Sequence, residues 1–482
     1  MNNLAHYTQS PIQDYVGNPL IEALPPVLTE ADAALALAHF PAGPDNERFV
    51  GKELRLHCID RLKMLIQPLP IHLELESALS SILRTGYVSR NPTHAATWRH
   101  LHTLSTNRRD LALFHSSAST FSLVGLSGIG KTTALNAVLS LYPQKIIHCR
   151  YQGKEFLHTQ IVWLKIECPF DGSLSGLCHA FFKALDKALD DPGRHSARFR
   201  SKAGIMEMIH SMEQLASTYF IGALVIDELQ HLNAAKTGGK DNMLNFFVNL
   251  INSIGIPVVF AGTNSMINLF ADVLRNARRA CGQGMYDFRQ PEQSDAAWNM
   301  LVDVIWEYQW VQKPVALSPA LRAVLYDLTQ GVTDFLAKLM ILGQRYAIQA
   351  NIETLNEQVF RHIADTKLKL LKPAIAALRS GDTAAMKKFE DLLPPDEQLE
   401  TLMRGEPSIS ISHLAALHRS KGTQPIPAAP RSASVEKQTS VAAADQISRR
   451  IASSDDPASA LSAHGWLARD IFEFSDTYHK GT

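Results

Sequence analysis

The sequence SLVGLSGIGKTTAL, residues 122–135, decides the fold of this protein. It contains every fixed position of the phosphate-binding motif GxxxxGK[ST], with Lys131 and Thr132 as the last two. An apolar strand ends at Val124 and a helical pattern begins at Lys131, so backbone N–H groups and a helix N-terminus point at one place. The motif predicts a nucleotide-phosphate site; the alternative is a glycine-rich turn without a ligand.

Two side chains of the motif have separate predicted roles. Lys131 would hold the β- and γ-phosphates of ATP, and Thr132 would bind the accompanying Mg²⁺ ion. The residues expected to form the phosphate cradle are Gly125, Ser127, Gly128, Ile129, Gly130, Lys131, Thr132 and Thr133.

Strand-like and helical patterns alternate around this motif. The predicted strands are STFSLVG (119–125), KIIHCRY (145–151), IVWLKIEC (161–168), IGALVID (221–227), IPVVFAG (256–262) and MYDFR (285–289). The predicted helices between them cover 132–141, 173–190, 205–217 and 242–253. Such alternation predicts an α/β fold in which a parallel sheet is covered by helices on both faces.

A pair of carboxylates follows one of the predicted strands. Asp227 and Glu228 come at the C-terminal end of IGALVID, the edge at which α/β sheets bind ligands. We expect Asp227 to hold Mg²⁺ through water and Glu228 to act as general base on the attacking water. The alternative is an acidic pair on the protein surface.

Further candidate catalytic groups follow the strand IPVVFAG. In P-loop ATPases with an additional strand, a polar residue at this point orients the lytic water, so Asn264 or Thr263 is a predicted sensor. An asparagine turn that caps the next helix is the alternative. Downstream, one of Arg275, Arg278 and Arg279 is a candidate arginine finger toward a neighbouring subunit, against the alternative of a solvated basic face.

Composition excludes some protein classes but not DNA binding. With 46% hydrophobic and 20% charged residues, the chain is neither fibrous nor wholly disordered. Lys plus Arg and Asp plus Glu both number 47, so any DNA contact requires a local basic surface. The candidates are Lys183, Arg198, Arg200 and Lys202, and the alternative is a charged loop between helices.

The chain divides into four predicted regions. An N-terminal arm with helices covers 1–110, with a loop at GYVSRNPT (86–93); the α/β core covers 111–290, and a helical lid 291–395. Residues 396–482 combine a Pro-, Ser- and Ala-rich linker with a terminal segment. That segment carries apolar side chains expected to anchor a partner protein: Trp466, Leu467, Ile471 and Phe474.

The five scattered cysteines form no CxxC pair, which predicts a reduced, cytoplasmic protein. The sequence has no secretion signal and no apolar run long enough for a membrane span, so a membrane partner is not expected.

Several runs together resemble the TnsC/TniB family of AAA+ ATPases, which regulate heteromeric, Tn-seven-like DNA transposition. The most specific are NPLIEALPP (18–26) and CPFDGSL (168–174); GYVSRNPT (86–93), GLSGIGKTT (125–133), LVIDELQHL (224–232) and ARRACGQGM (277–285) support them. The resemblance covers approximately residues 15–395. It implies an AAA+ P-loop ATPase core with a C-terminal helical lid, an N-terminal helical arm and a partly disordered C-terminal tail.

The resemblance also implies cofactors and partners. ATP and Mg²⁺ would drive oligomerisation on double-stranded DNA, as a ring or a helical filament. The oligomer would link a TniQ/TnsD-type target selector to the transposase in a bacterial cytoplasm, associated with the nucleoid when bound to DNA. Hydrolysis would control disassembly and target immunity. One departure is that GVTDFLAKL (331–339) opens a lid helix without the arginine that many AAA+ proteins use as a second sensor, leaving only Lys338.

Two alternatives belong to other functional classes. One is a P-loop signalling or defence NTPase whose tail recruits an effector, although the sequence contains no recognisable effector or repeat sensor. The other is a nucleotide-bound scaffold without hydrolysis, against which Glu228 argues.

Overall fold

The computed structural model describes residues 4–105, 116–199, 204–234, 255–267 and 282–381, together with Phe247 and Ile251. The chain divides into two units, Met1–Gly405 and Glu406–Thr482, and all the described residues belong to the first. Within these ranges, no helix is both long and apolar enough to cross a membrane.

The secondary structure is mixed. The strands are β1 Thr120–Gly125, β2 Lys145–Tyr151, β3 Lys154–Ile161, β4 Trp163–Glu167, β5 Ala223–Asp227, β6 Val258–Gly262 and β7 Met285–Phe288. The helices before β7 are α1 Pro19–Glu22, α2 Glu30–Leu37, α3 Lys52–Cys58, α4 Pro70–Val88, α5 Ala95–Ser105, α6 Lys131–Ser140, α7 Leu174–Leu189 and α8 Ile205–Thr218. Those after it are α9 Ala296–Glu307, α10 Pro319–Thr329, α11 Thr333–Gln349, α12 Glu357–Thr366 and α13 Lys372–Ser380.

A five-stranded parallel sheet lies at the centre, in the order β4-β5-β6-β1-β7. Because the strands are parallel, their carboxyl ends meet at one edge, where Glu167 pairs with Asp227 and Val124 with Gly262. The predicted α/β class is confirmed, and the predicted P-loop and acidic pair lie at this edge.

Helices cover both faces of the sheet because its central strands are apolar on both sides. Leu224 and Ile226 of β5 face a core shared with α7 and α8, whereas Val225 faces a core shared with α4 and α6. The five residues of β5 and the five of β6 are all buried, as expected for strands enclosed by helices. The predicted helix 242–253 lies almost entirely outside the described residues.

The run KIIHCRY is a strand, but it does not belong to the parallel sheet. It pairs antiparallel with β3, a strand that the sequence analysis did not predict. The turn at Gln152 and Gly153 has positive φ at both residues (48° and 77°), the conformation that two-residue hairpins favour. The connection from β1 to β4 therefore contains a β-hairpin where a further parallel strand was predicted.

Helix α4 extends further than the sequence suggested. The segment 86–93 was predicted as a loop, yet Gly86, Tyr87 and Val88 form the last turn of the helix. Tyr87 is fully buried there and its hydroxyl donates to the Phe220 carbonyl oxygen over 2.8 Å. Packing of this aromatic residue stabilises the extra turn despite the glycine.

The helices α9 to α13, which correspond to the predicted lid and keep that name below, share a separate apolar core. This core includes Trp298, Trp306 and Trp310, and it also takes in Ile59 and Leu62 from the N-terminal segment. The N-terminal segment thus contributes to two cores, since its helix α4 packs against the sheet.

A short ribbon carries the N-terminal segment between these two cores. His39 and Ile66 exchange two backbone hydrogen bonds, of 3.0 and 2.9 Å, in an antiparallel bridge. The chain between them packs with the lid through Arg55, which forms two hydrogen bonds to the Glu353 carboxylate and one to the Trp310 carbonyl oxygen. The bridge therefore joins the chain where it leaves the sheet core, at His39, to the chain where it returns, at Ile66.

Candidate nucleotide-binding site

The loop between β1 and α6 forms a cradle of backbone groups. Gly128 and Gly130 have φ of 76° and 103°, values that residues with a side chain rarely adopt. A Cβ atom on Gly125 would lie 2.6 Å from the Phe288 carbonyl oxygen, so the start of the loop also requires glycine. The N–H groups at the start of α6 have no helical partner, which suits them to bind phosphate oxygens.

Lys131 lies inside this cradle. Its side chain is buried, and its ammonium group donates to the carbonyl oxygens of Gly125 and Leu126 over 2.9 and 2.8 Å. These bonds keep a positive charge within the loop that is expected to receive the phosphates.

Thr132 and Asp227 meet at the end of the sheet. The Thr132 hydroxyl donates to Asp227 Oδ2 over 3.1 Å. Hydroxyl and carboxylate oxygens suit Mg²⁺. Thr132 would bind the predicted ion directly and Asp227 would hold it through water, and the ion would neutralise charge on the nucleotide phosphates. Lys165 Nζ also lies 3.0 Å from Asp227 Oδ2.

Glu228 has an unusual backbone conformation next to this site. Its φ is 56°, in the left-handed region, which costs about 1–3 kcal/mol for a residue other than glycine and is concentrated at functional sites. Burial, and then the neighbouring Asp227 carboxylate, raise the pKa of Glu228, while the hydrogen bond from Gln230 and the electrostatic effects of Lys131 and His231 oppose the rise. A carboxylate of raised pKa is a stronger base toward a water molecule.

Gln230 connects Glu228 to the next strand of the sheet. Its amide nitrogen donates to the Glu228 carboxylate, and its amide oxygen accepts from the Thr263 N–H over 3.1 Å. The hydroxyls of Thr263 and Ser265 share a hydrogen bond of 2.8 Å. Asn264 begins the following helical turn, with its carbonyl oxygen accepting from Ile267 N over 3.0 Å. Both sensor candidates therefore lie at the end of β6, and Thr263 is joined to Glu228 of the acidic pair through Gln230.

The lid also contacts the phosphate loop. The Thr333 hydroxyl and the Asp334 N–H, at the start of α11, both donate to the Gly128 carbonyl oxygen over 3.1 Å. Lys338 forms a salt bridge of 2.6 Å with the Asp334 carboxylate. The start of this lid helix, where many AAA+ proteins carry a second-sensor arginine, thus has a threonine and an ion pair.

Comparison with known proteins agrees with this geometry. Residues 115–270 match the family model described as an AAA domain. The fold is that of an AAA+ P-loop ATPase. The AAA domain and its P-loop support nucleotide binding and ATP hydrolysis by this chain. No curated protein matches the chain.

Solved structures with a similar fold are distant in sequence. Cdc6p of Pyrobaculum aerophilum is 16% identical with a TM-score of 0.33, over 55% of this chain and 64% of that one. The ORC2 protein of Aeropyrum pernix is 9% identical with a TM-score of 0.36, over 68% and 86%. The RuvB Holliday junction branch migration motor of Thermotoga maritima is 13% identical with a TM-score of 0.31, over 60% and 81%. The chain spans less than two thirds of the Pyrobaculum aerophilum protein.

Part of the predicted DNA surface of the ATPase is described. Lys183 on α7 and Arg198 are exposed. The loop before Arg198 is fixed by the buried Asp186 carboxylate, which accepts from the backbone N–H groups of His195 and Ser196 over 2.8 and 2.9 Å. Predicted residues outside the described ranges are Arg200, Lys202, Arg275, Arg278, Arg279, Trp466, Leu467, Ile471 and Phe474.

Three residues near the ATP site were not singled out from the sequence. They are Lys165, Gln230 and Thr333, and each reaches the site from a different element. Gln230 stands two residues after Glu228, so its position offered a local signal. Lys165 and Thr333 had none, because their contacts depend on strand register and on lid docking.

Proposed function

We propose that this AAA+ ATPase is an ATP-dependent, DNA-binding regulator of DNA transposition, similar to the TnsC/TniB family. It would oligomerise on double-stranded target DNA and link a TniQ/TnsD-type target selector to the transposase. ATP hydrolysis would control disassembly of the oligomer and target immunity. Its place of action would be the bacterial cytoplasm, on the nucleoid.

The main support for control by ATP is the contact of the lid with the phosphate loop. Thr333 and Asp334 bond to Gly128, the residue at the centre of the cradle. A nucleotide bound in the cradle would therefore act on the core and the lid at the same time. Arg275, Arg278 or Arg279 would extend the site to a neighbouring subunit, as expected of an oligomer that depends on ATP.

The sequence supports the transposition context. The run CPFDGSL follows β4, and its Cys168 N–H donates to the Asp227 carbonyl oxygen over 2.9 Å. The run that most resembles the TnsC/TniB family thus begins beside the acidic pair. The C-terminal residues Trp466, Leu467, Ile471 and Phe474 would bind the transposase or its endonuclease partner.

The test is assembly of the full chain on long duplex DNA, imaged by negative-stain electron microscopy without nucleotide, with ADP, with ATP and with a non-hydrolysable analogue. We expect rings or filaments with ATP and the analogue only. Lys131→Ala removes the phosphate-binding ammonium and should abolish assembly. Glu228→Gln retains ATP binding but removes the base, so its complexes should last longer and its hydrolysis should be at least about 100-fold slower.

If Lys131→Ala and Glu228→Gln both bound DNA like the wild type, with and without ATP, control of DNA assembly by the nucleotide would be contradicted. Confirmed ATP binding and hydrolysis without assembly on DNA, in any nucleotide, would favour the signalling or defence NTPase instead.

The DNA surface has a test of its own. Changing Lys183 and Arg198 together to Gln removes two exposed charges and should lower the slope of log affinity against log salt by about 2, since each phosphate contact contributes about 0.9. The control replaces the exposed Arg289 and Arg361 with Gln. Arg289 follows β7, Arg361 lies on α12, and both pair with acidic residues. An equal loss in both double variants would place the DNA elsewhere.

A further inference from the structure

Lys165 brings a second ammonium group to the end of the parallel sheet. In the register of β4 and β5 it lies opposite Val225, and residues two apart on a strand share a face, so it reaches Asp227. Its Nζ lies 3.0 Å from Asp227 Oδ2 and 2.9 Å from Asn136 Oδ1. The Lys165 side chain is 17% exposed and that of Asp227 only 3%, so water screens this pair weakly.

The ammonium group acts on the oxygen expected to serve Mg²⁺. Asp227 Oδ2 receives both the Thr132 hydroxyl and Lys165, whereas Oδ1 accepts the Glu228 N–H over 3.0 Å. Two cations within a few ångströms of one weakly screened carboxylate repel each other strongly. A bound Mg²⁺ ion at this edge would therefore weaken the bond between Lys165 and Asp227.

We infer that Lys165 is a positioning residue that holds the Asp227 carboxylate in the absence of nucleotide and competes with Mg²⁺ for it. Asn136 is exposed on α6 and already bonds to Lys165, so it provides the acceptor toward which the ammonium moves when the metal binds. The consequence is a threshold: ATP binds with its metal only above a Mg²⁺ concentration that Lys165 sets. This inference rests on the proposed nucleotide site.

The experiment measures binding of a fluorescent ATP analogue to the full chain at increasing Mg²⁺, and again with a chelator. In Lys165→Met, the Mg²⁺ concentration at half-saturation should fall about three- to tenfold, the range expected for loss of one partly buried ion pair. Binding in the chelator should stay unchanged. Lys165→Arg retains the positive charge and should return the Mg²⁺ response toward that of the wild type.

Two further variants make the test specific. Lys145→Met removes a hairpin lysine of similar burial that pairs with Asp190 at the end of α7, and it should leave the Mg²⁺ response unchanged. Asn136→Leu removes the alternative acceptor on an exposed helix position. It should raise the required Mg²⁺ concentration, and it provides an independent test if Lys165→Met does not fold.

Each contrary result has a distinct meaning. An unchanged Mg²⁺ response in both Lys165→Met and Asn136→Leu would overturn the competition. Weaker nucleotide binding by Lys165→Met in the chelator would show that the ammonium contacts phosphate instead, and would overturn it as well. Failure of the wild type to bind nucleotide at any Mg²⁺ concentration would overturn the proposed function itself.

Discussion

At the scale of single residues, the site is organised around Glu228. Its left-handed backbone turns the chain immediately after β5, and its half-buried carboxylate lies beside Asp227. Gln230 is the neutral group that donates a hydrogen bond to it. A donor stabilises the ionised form of a carboxylate, so Gln230 restrains the rise in the pKa of Glu228 that burial causes.

Replacing Gln230 with Leu should move the pH dependence of hydrolysis. Without the donor the pKa of Glu228 rises further, and a general base must be ionised to act. Activity is lost as pH falls through that pKa, so the acid limb of the kcat profile should shift to higher pH. The measurement is kcat against pH at saturating Mg–ATP, with Gln214→Leu on α8 as control. An acid limb at the wild-type position would exclude this role of Gln230.

Residues of this site differ in how far the sequence could identify them. Gly125, Gly130, Lys131 and Thr132 form a contiguous motif whose geometry is encoded locally, so they were predicted. Lys165 is 62 residues from Asp227 along the chain, and only the parallel register of β4 and β5 brings the two together. No local pattern contains that information.

At the scale of elements, the β2–β3 hairpin is tied to the N-terminal segment by a buried polar chain. The Tyr7 hydroxyl bonds to His148 Nδ1 over 2.8 Å, and His148 Nε2 to Gln160 Oε1 over 2.9 Å. The Gln160 amide nitrogen then donates to the Leu20 carbonyl oxygen. Burial lowers the pKa of His148 to about 4, so the imidazole is neutral in the folded protein near pH 7.

This chain of bonds makes stability depend on pH. Between pH 6.5 and about 4 the unfolded chain binds a proton at His148 that the folded protein does not, so stability falls on acidification. By pH 5 the loss from this residue is about 2 kcal/mol. His148→Gln should reduce the difference in unfolding free energy between pH 7 and pH 5 by that amount, measured by urea denaturation. The exposed His94→Gln is the control, and equal pH dependence in the wild type and His148→Gln would contradict the assignment.

The hairpin also shows why the sheet was predicted only in part. Strand β2 alternates between buried and exposed residues over much of its length, whereas β5 and β6 are buried throughout. Its apolar residues Ile146 and Ile147 nevertheless resemble those of a sheet strand. The signal that distinguishes them is the turn Gln152–Gly153, whose glycine fits a hairpin. The local sequence was enough to predict that this segment is a strand, but it did not show which strand it pairs with.

At the scale of the whole molecule, the N-terminal segment belongs to the lid as well as to the sheet. Arg55 is 1% exposed and pairs with Glu353 of the lid, whereas Arg61 pairs with Glu47 and both side chains are about a third exposed. The prediction of one N-terminal region covering 1–110 could not include this division. The helical pattern shows that a face is apolar, but not which core receives it.

Arg55→Met should destabilise the lid by about 2–4 kcal/mol, because it removes a fully buried cation and leaves the carboxylate of Glu353, only 12% exposed, without its partner. Arg61→Met breaks a pair of the same geometry at an exposed position and should cost at most about 1 kcal/mol. Urea denaturation followed by tryptophan fluorescence measures both, since Trp298, Trp306 and Trp310 lie in the lid core. Similar losses in the two variants would contradict a special role for Arg55.

The ribbon at His39 and Ile66 has a mechanical consequence. The lid is joined to the sheet by the covalent segment after β7, and also by this ribbon, whose two strands are bonded to each other. A body attached by one flexible segment can rotate in any direction, but a body attached at two places rotates mainly about the line between them. Release of the Thr333 and Asp334 contacts at Gly128 would then let the lid rotate about the axis through its two attachment points, along a single path.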